Sequence, residues 1–214
     1  MTIDYNLVLL ILLFFFVLQY ENIETMISRK NVCNSIDNRC YSIVGKYEPE
    51  TFSSASETLA YLNQFCIKMI RHLRNKYLWR REGSIYRQDM VAFLLSNYNP
   101  DSIIENAPVD SNNTSYVEDK GKVFAICLRE KASGENKFHH NHILEFVVLH
   151  EMAHLATRGV GHDPPVPFWL NFKILLQEAH SIGIHTPVNY AKYPEVYCSL
   201  PLNYNPYFDQ SLKE

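Results

Sequence analysis

The stretch "LHEMAHLATRGVGHDPPVPFW", Leu149 to Trp169, holds His150, His154 and His162 together with Glu151. His150 and His154 are four residues apart. On a helix that spacing puts both imidazoles on one face, one turn apart, where they can converge on a single cation. Zinc accepts such nitrogens at about 2.0–2.1 Å. Glu151 is turned about 100° from His150, so it is poorly set as a ligand but can reach a water on the ion. Zinc lowers that water's pKa to about 7, and Glu151 could take its proton as general base and deliver it to a leaving amine. A carboxylate without a partner is costly on a buried helix unless a site uses it.

One open coordination position calls for a third protein ligand. His162 is the best candidate: Gly161 just before it lets the backbone turn the ring back toward the helix. Glu178, farther along, is the rival and would give a His-His-Glu set. His139, His140 and His142 cluster ahead of the motif and read as a solvated loop group rather than a second cation site.

These side chains need a rigid frame. "NHILEFVVLHEMAHLAT" is apolar nearly all round, which predicts a buried helix with Asn141 as its N-cap, ended by Gly159 and Gly161. "PFWLNFKILLQEAHSIGI" predicts an amphipathic helix from Pro167 to near Gly183, with Phe168, Trp169, Phe172, Leu175, Leu176 and Ala179 on its stripe. Upstream, Leu59, Leu62, Phe65, Cys66, Met69, Ile70, Leu73 and Tyr77 form the stripe of a long helix, with Ser54 and Glu57 as a capping box. A short helix is expected from Asp89 to Asn97. "SYVEDKGKVFAICLRE" predicts a hairpin that turns at Asp119-Lys120-Gly121, with Lys122 to Leu128 as a strand covered on both faces. Arg71, Arg74, Lys76, Arg80 and Arg81 read first as the solvated, dipole-favoured end of the long helix and only second as a nucleic-acid patch.

The 214 residues are 47% hydrophobic and 20% charged, enough for one domain with a core. The net charge of −3 supplies no global attraction to nucleic acid. Leu7 to Leu18 is an unbroken apolar run, with no positive residue before it and no small-x-small cleavage site after it. It reads as an uncleaved membrane anchor over residues 1–20. Arg29 and Lys30 behind it favour the cytoplasmic side for the domain. Asn112 and Asn113 head glycosylation sequons that matter only in a lumen. Of the five cysteines, Cys33 and Cys40 could pair in an oxidising compartment, while Cys66 and Cys127 read as small core residues.

With the motif in place, "HEMAHLATRGVGHDPPVPFW" resembles the HExxH, third histidine and Phe-Trp core of WLM-type metallopeptidases and their SprT-like relatives, in particular small virus-encoded forms. The likeness extends over Ser54 to Cys198 and is specific over His150 to Trp169. It implies His150, His154 and His162 as ligands of one zinc ion, Glu151 as catalytic acid/base, and a protein or peptide substrate. The implied fold is α+β, a compact zincin-like domain with a small sheet packed on helices. A substrate peptide would add along an edge strand, here Lys122 to Leu128. WLM proteins place five residues between the second and third histidines, and this chain has seven. The organisation expected is an anchor over 1–20, a tether over 21–52, the metallopeptidase domain over 53–200 and an irregular tail over 201–214. The function expected is a membrane-anchored zinc-dependent endopeptidase. The alternative is a non-enzymatic zincin-fold protein whose zinc is structural and whose groove captures a peptide. A structural site is closed by four protein ligands, and only three good ones are visible beside an intact base.

Overall fold

A computed structural model describes residues 29–44, 50–106, 114–130, 137–158 and 166–214. The apolar run Leu7 to Leu18, both sequons and His162 lie outside the described residues. Among the described residues no helix is long and apolar enough to cross a membrane.

The described architecture is α+β. Strand β1 (Arg29–Cys33) and β2 (Cys40–Val44) lead into helix α1 (Glu50–Leu73), which continues as a π-helical segment (Arg74–Trp79). Helix α2 (Ile85–Asn97), β3 (Ile103–Glu105), β4 (Tyr116–Glu118) and β5 (Val123–Ile126) follow. Then come α3 (Asn141–Leu155), α4 (Val166–Ser181) and the hairpin β6 (Glu195–Tyr197) and β7 (Leu200–Leu202). The five-stranded sheet runs β1-β2-β3-β5-β4. It is mixed: β1/β2 and β4/β5 are antiparallel, and β2/β3 and β3/β5 are parallel.

Helix α1 forms because its apolar residues recur at helical spacing. Leu59, Leu62, Cys66, Met69 and Leu73 are fully buried, as is Tyr77 in the π-helical segment. Each large aliphatic side chain buried there stabilises the fold by about 1.5–3 kcal/mol before conformational entropy is counted. The hairpin turns where expected. Asp119, Lys120 and Gly121 all have positive φ, and Gly121 N donates to Glu118 O at 3.0 Å. Glycine is required at 121, since a Cβ there would lie 1.9 Å from the Asn97 carbonyl oxygen. One buried ion pair ties the sheet: Arg129 Nε meets Glu105 Oε1 at 2.7 Å, while the other Glu105 oxygen accepts from Val44 N at 2.9 Å.

Four expectations need correction. The segment 21–52 is not all tether, because β1 and β2 belong to the sheet and Tyr41, Ile43 and Val44 are buried. Helix α1 begins at Glu50, so Ser54 lies inside it; the partner of Glu57 is Ser53, whose hydroxyl donates at 2.9 Å. Strand β5 is interior, paired on both sides, and the edge next to it is β4. The end of the chain is irregular only in part: β7 reaches Leu202, a 3-10 turn spans Pro206–Phe208, and Lys173 Nζ donates to the Leu212 carbonyl at 3.1 Å.

Candidate active site

Helix α3 carries the motif and is buried on nearly every face, from Ile143 and Leu144 to Met152, Ala153 and Leu155. Its N-cap position is His140, with no side-chain cap, and Asn141 is the first helical residue. Its C-terminal carbonyls are satisfied by side chains from other elements. Asn97 Nδ2 donates to Leu155 O at 2.9 Å, and Asn171 Nδ2 to Ala156 O at 3.2 Å. Asn171 also donates to Thr157 Oγ1 at 2.9 Å and accepts from Tyr86 OH at 2.7 Å. A buried helix end without such partners would leave backbone acceptors stranded. At the other end Glu145 receives the Tyr61 hydroxyl and pairs with buried His185 Nδ1 at 2.9 Å. The motif helix is therefore fixed at both ends.

His150 and His154 come together as their spacing requires: their Nε2 atoms are 3.1 Å apart. Two nitrogens on a tetrahedral zinc stand about 3.3 Å apart. Helix α4 supplies the wall. The Phe168 ring centroid is 4.9 Å from His150 and 4.3 Å from His154, and Phe172 lies 5.2 Å from His150 with Trp169 at 6.5 Å. This apolar wall covers much of His150 and one side of His154, which stays open to solvent. Burial, and the nearby His154 second, pushes His150 down to about 3, and burial lowers His154 as well. Both rings are thus neutral near pH 7, the state in which imidazole nitrogens bind a metal.

Glu151 is 3% exposed, and its Oε2 is buried with no hydrogen-bond partner. Burial alone raises its pKa to about 8. An orphaned buried carboxylate oxygen costs several kcal/mol. Two converging neutral nitrogens, on a helix that also buries an orphaned carboxylate, are a donor set whose chemistry fits zinc.

Glu178 is not available to that site. Its carboxylate accepts Lys76 Nζ at 2.9 Å on both oxygens, Tyr77 OH at 2.6 Å and His72 Nε2 at 2.7 Å. Burial works to raise its pKa, but the hydrogen bonds from Tyr77, Lys76 and His72 outweigh that and hold it low. It joins α4 to α1 and the π-helical segment. Part of the basic stretch is accounted for in the same way: Lys76 serves Glu178, Arg74 stacks on Trp79 at 5.0 Å, and Arg80 meets Glu82 at 3.1 Å.

Two features were missed in the sequence. Cys127 is bonded to Cys198, alongside the anticipated Cys33–Cys40 bond. His139 is not solvated but buried, with Nε2 3.3 Å from Cys198 Sγ, whereas His140 and His142 stack at 5.9 Å. Tyr197 gives its hydroxyl to the Cys127 carbonyl at 2.9 Å, while the buried Tyr190 hydroxyl has no partner among the described residues.

No family model matches the chain, and no solved structure matches it. It is similar to an uncharacterized protein of Acanthamoeba polyphaga mimivirus, 33% identical over 102 residues that cover 48% of this chain and 49% of the relative. It is also similar to uncharacterized proteins of Invertebrate iridescent virus 6 and Invertebrate iridescent virus 3. The first is 32% identical over 92 residues, 43% of this chain and 50% of the relative. The second is 31% identical over 99 residues, 46% of this chain and 58% of the relative. The chain spans about half the length of the curated relatives it matches.

Proposed function

We propose that this chain is a zinc-dependent endopeptidase of zincin-like fold, with His150, His154 and His162 holding the ion and Glu151 as general base. The observation that supports this reading most is the 3.1 Å approach of the two imidazole nitrogens on a helix whose intervening Glu151 keeps a buried oxygen without a partner. Zinc bound there supplies Lewis acidity and acidifies a coordinated water. Glu151 does the proton work. Its carboxyl stays protonated when burial acts alone, and a divalent cation held nearby would favour the ionised form that can accept a proton from water. It then returns that proton to the leaving amine. Phe168 and Phe172 pack on His150, His154 opens to solvent, and Trp169 stands beside Tyr204, with ring centroids 5.3 Å apart. A substrate strand would add to β4, the sheet edge beside β5.

The reading includes an anchor at residues 1–20. The two disulfides favour an oxidising compartment for the domain over the cytoplasmic side that Arg29 and Lys30 suggest. Hydrolysis of a peptide library by wild type and Glu151→Gln tests the proposal. The variant keeps shape and ligands, so its rate should fall by about 100-fold or more. Undiminished hydrolysis in Glu151→Gln would overturn the assignment.

A further inference from the structure

We propose that Cys127, His139 and Cys198 form a second metal site, which binds a thiophilic divalent ion such as zinc when its disulfide is reduced. The three residues come from three separate parts of the chain. Cys127 follows β5, His139 precedes α3, and Cys198 sits in the turn of the β6–β7 hairpin. Their ligand atoms nevertheless lie within 4.8 Å of one another, and all three residues are buried.

Placing Cys198 there carries a backbone cost. Cys198 and Ser199 are the two central residues of the hairpin turn, with φ of 46° and 72°. Such turns favour Asn-Gly, and bulkier residues in the left-handed region are strained. A cysteine held in that conformation turns its thiol inward, against His139.

His139 is prepared as a ligand. Its Nε2 accepts from Cys198 N at 3.2 Å, so in the neutral ring the proton sits on Nδ1. The ring also hydrogen-bonds to the Arg129 backbone, and burial keeps it neutral. The Nε2 lone pair thus faces the cysteine that would share the metal, and a metal ion would take the place of the Cys198 N–H on it. Two thiolates and a neutral imidazole around a dication make an uncharged unit, which a buried location tolerates.

The two states exchange in balanced steps. A dithiol or phosphine reductant gives two electrons to the Cys127–Cys198 bond, which takes up two protons and becomes two thiols. Metal binding then releases both protons. A small-molecule disulfide oxidant then takes two electrons from the two thiolates and leaves as two thiols, which restores the Cys127–Cys198 bond and expels the ion. This proposal does not rest on the His150 site.

The full chain, reduced with a phosphine, should be titrated with Co2+ and followed by absorbance. A thiolate-to-cobalt charge-transfer band is expected in reduced wild type and not in the oxidised protein. It should persist in His150→Ala, whose site contains no sulfur, and vanish in Cys198→Ser. His139→Ala should weaken Co2+ binding at this band at least ten-fold. No sulfur band in reduced wild type, or a full band in Cys198→Ser, would refute the site. A readout without variants is alkylation of reduced wild type with and without zinc. Zinc should protect Cys127 and Cys198 while Cys33 and Cys40 stay reactive, and equal labelling of Cys127 and Cys198 in both conditions would overturn the proposal.

Discussion

Removing the Cys127–Cys198 bond as Cys127→Ala/Cys198→Ala should cost far more stability than removing Cys33–Cys40. The first pair is 71 residues apart and the second 7. Loop-closure entropy in the unfolded chain puts the long link at about 4.4 kcal/mol and the short one at about 2.4 kcal/mol. Burial adds to the difference, because Cys127 and Cys198 are both within the core while the short loop is at the edge of the sheet. The long bond also fixes the β6–β7 hairpin, together with the Tyr197 hydroxyl on Cys127 O and Cys198 N on His139. Urea unfolding under non-reducing conditions measures both variants against wild type. With an m-value of about 2 kcal/mol/M, the long-loop variant should lose about 2 M of midpoint and the short-loop variant about 1 M. A long-loop loss under about 0.5 M, or the reverse order, would refute the reasoning.

Asn171→Ala leaves the buried Ala156 carbonyl without its donor and should destabilise the fold by about 1–3 kcal/mol, measured by the same unfolding. Metal-free protein should lose stability as pH rises from about 7.5 through 8. A raised carboxyl pKa contributes stability below the unfolded value of 4.5 and forfeits it up to about 8, while the lowered His150 and His154 gain stability through the unfolded imidazole value of 6.5 and stop offsetting that loss about one unit above it. The slope reaches at most about 1.4 kcal/mol per pH unit, and Glu151→Gln should flatten it in thermal melts of metal-free protein. A chain beginning at residue 50 lacks β1 and β2, so circular dichroism and gel filtration should show it unfolded or aggregated, whereas a start at residue 29 should give folded protein.

Local patterns carried what was legible in the sequence. The apolar stripe of α1, the turn residues Asp119-Lys120-Gly121 ahead of an apolar run and the His150–His154 spacing are each decided within a few residues, and each element formed. What was misread depends on distant partners. "RKNVC" and "CYSIV" are too short and mixed to announce strands, and pairing with β3 makes them part of the sheet. That β5 is interior follows from strand order, which no single strand encodes. Glu178 looked like a free ligand because Lys76, Tyr77 and His72 are about a hundred residues away in sequence. Cys198 sat in a stretch of Tyr, Pro and Asn with no sign of its distant partner, and His139 read as solvated because nothing local shows that Cys198 and Tyr197 cover it.

The central claim is that His150 and His154 hold a metal ion which Glu151 serves but does not bind. Metal content of the full chain, purified without reductant so that Cys127–Cys198 stays closed, tests it most directly. One zinc per chain is expected in wild type and in Glu151→Gln, with loss of that zinc in His150→Ala and in His154→Ala. Zinc-free wild type after exposure to the ion, or full zinc in His150→Ala, would contradict it.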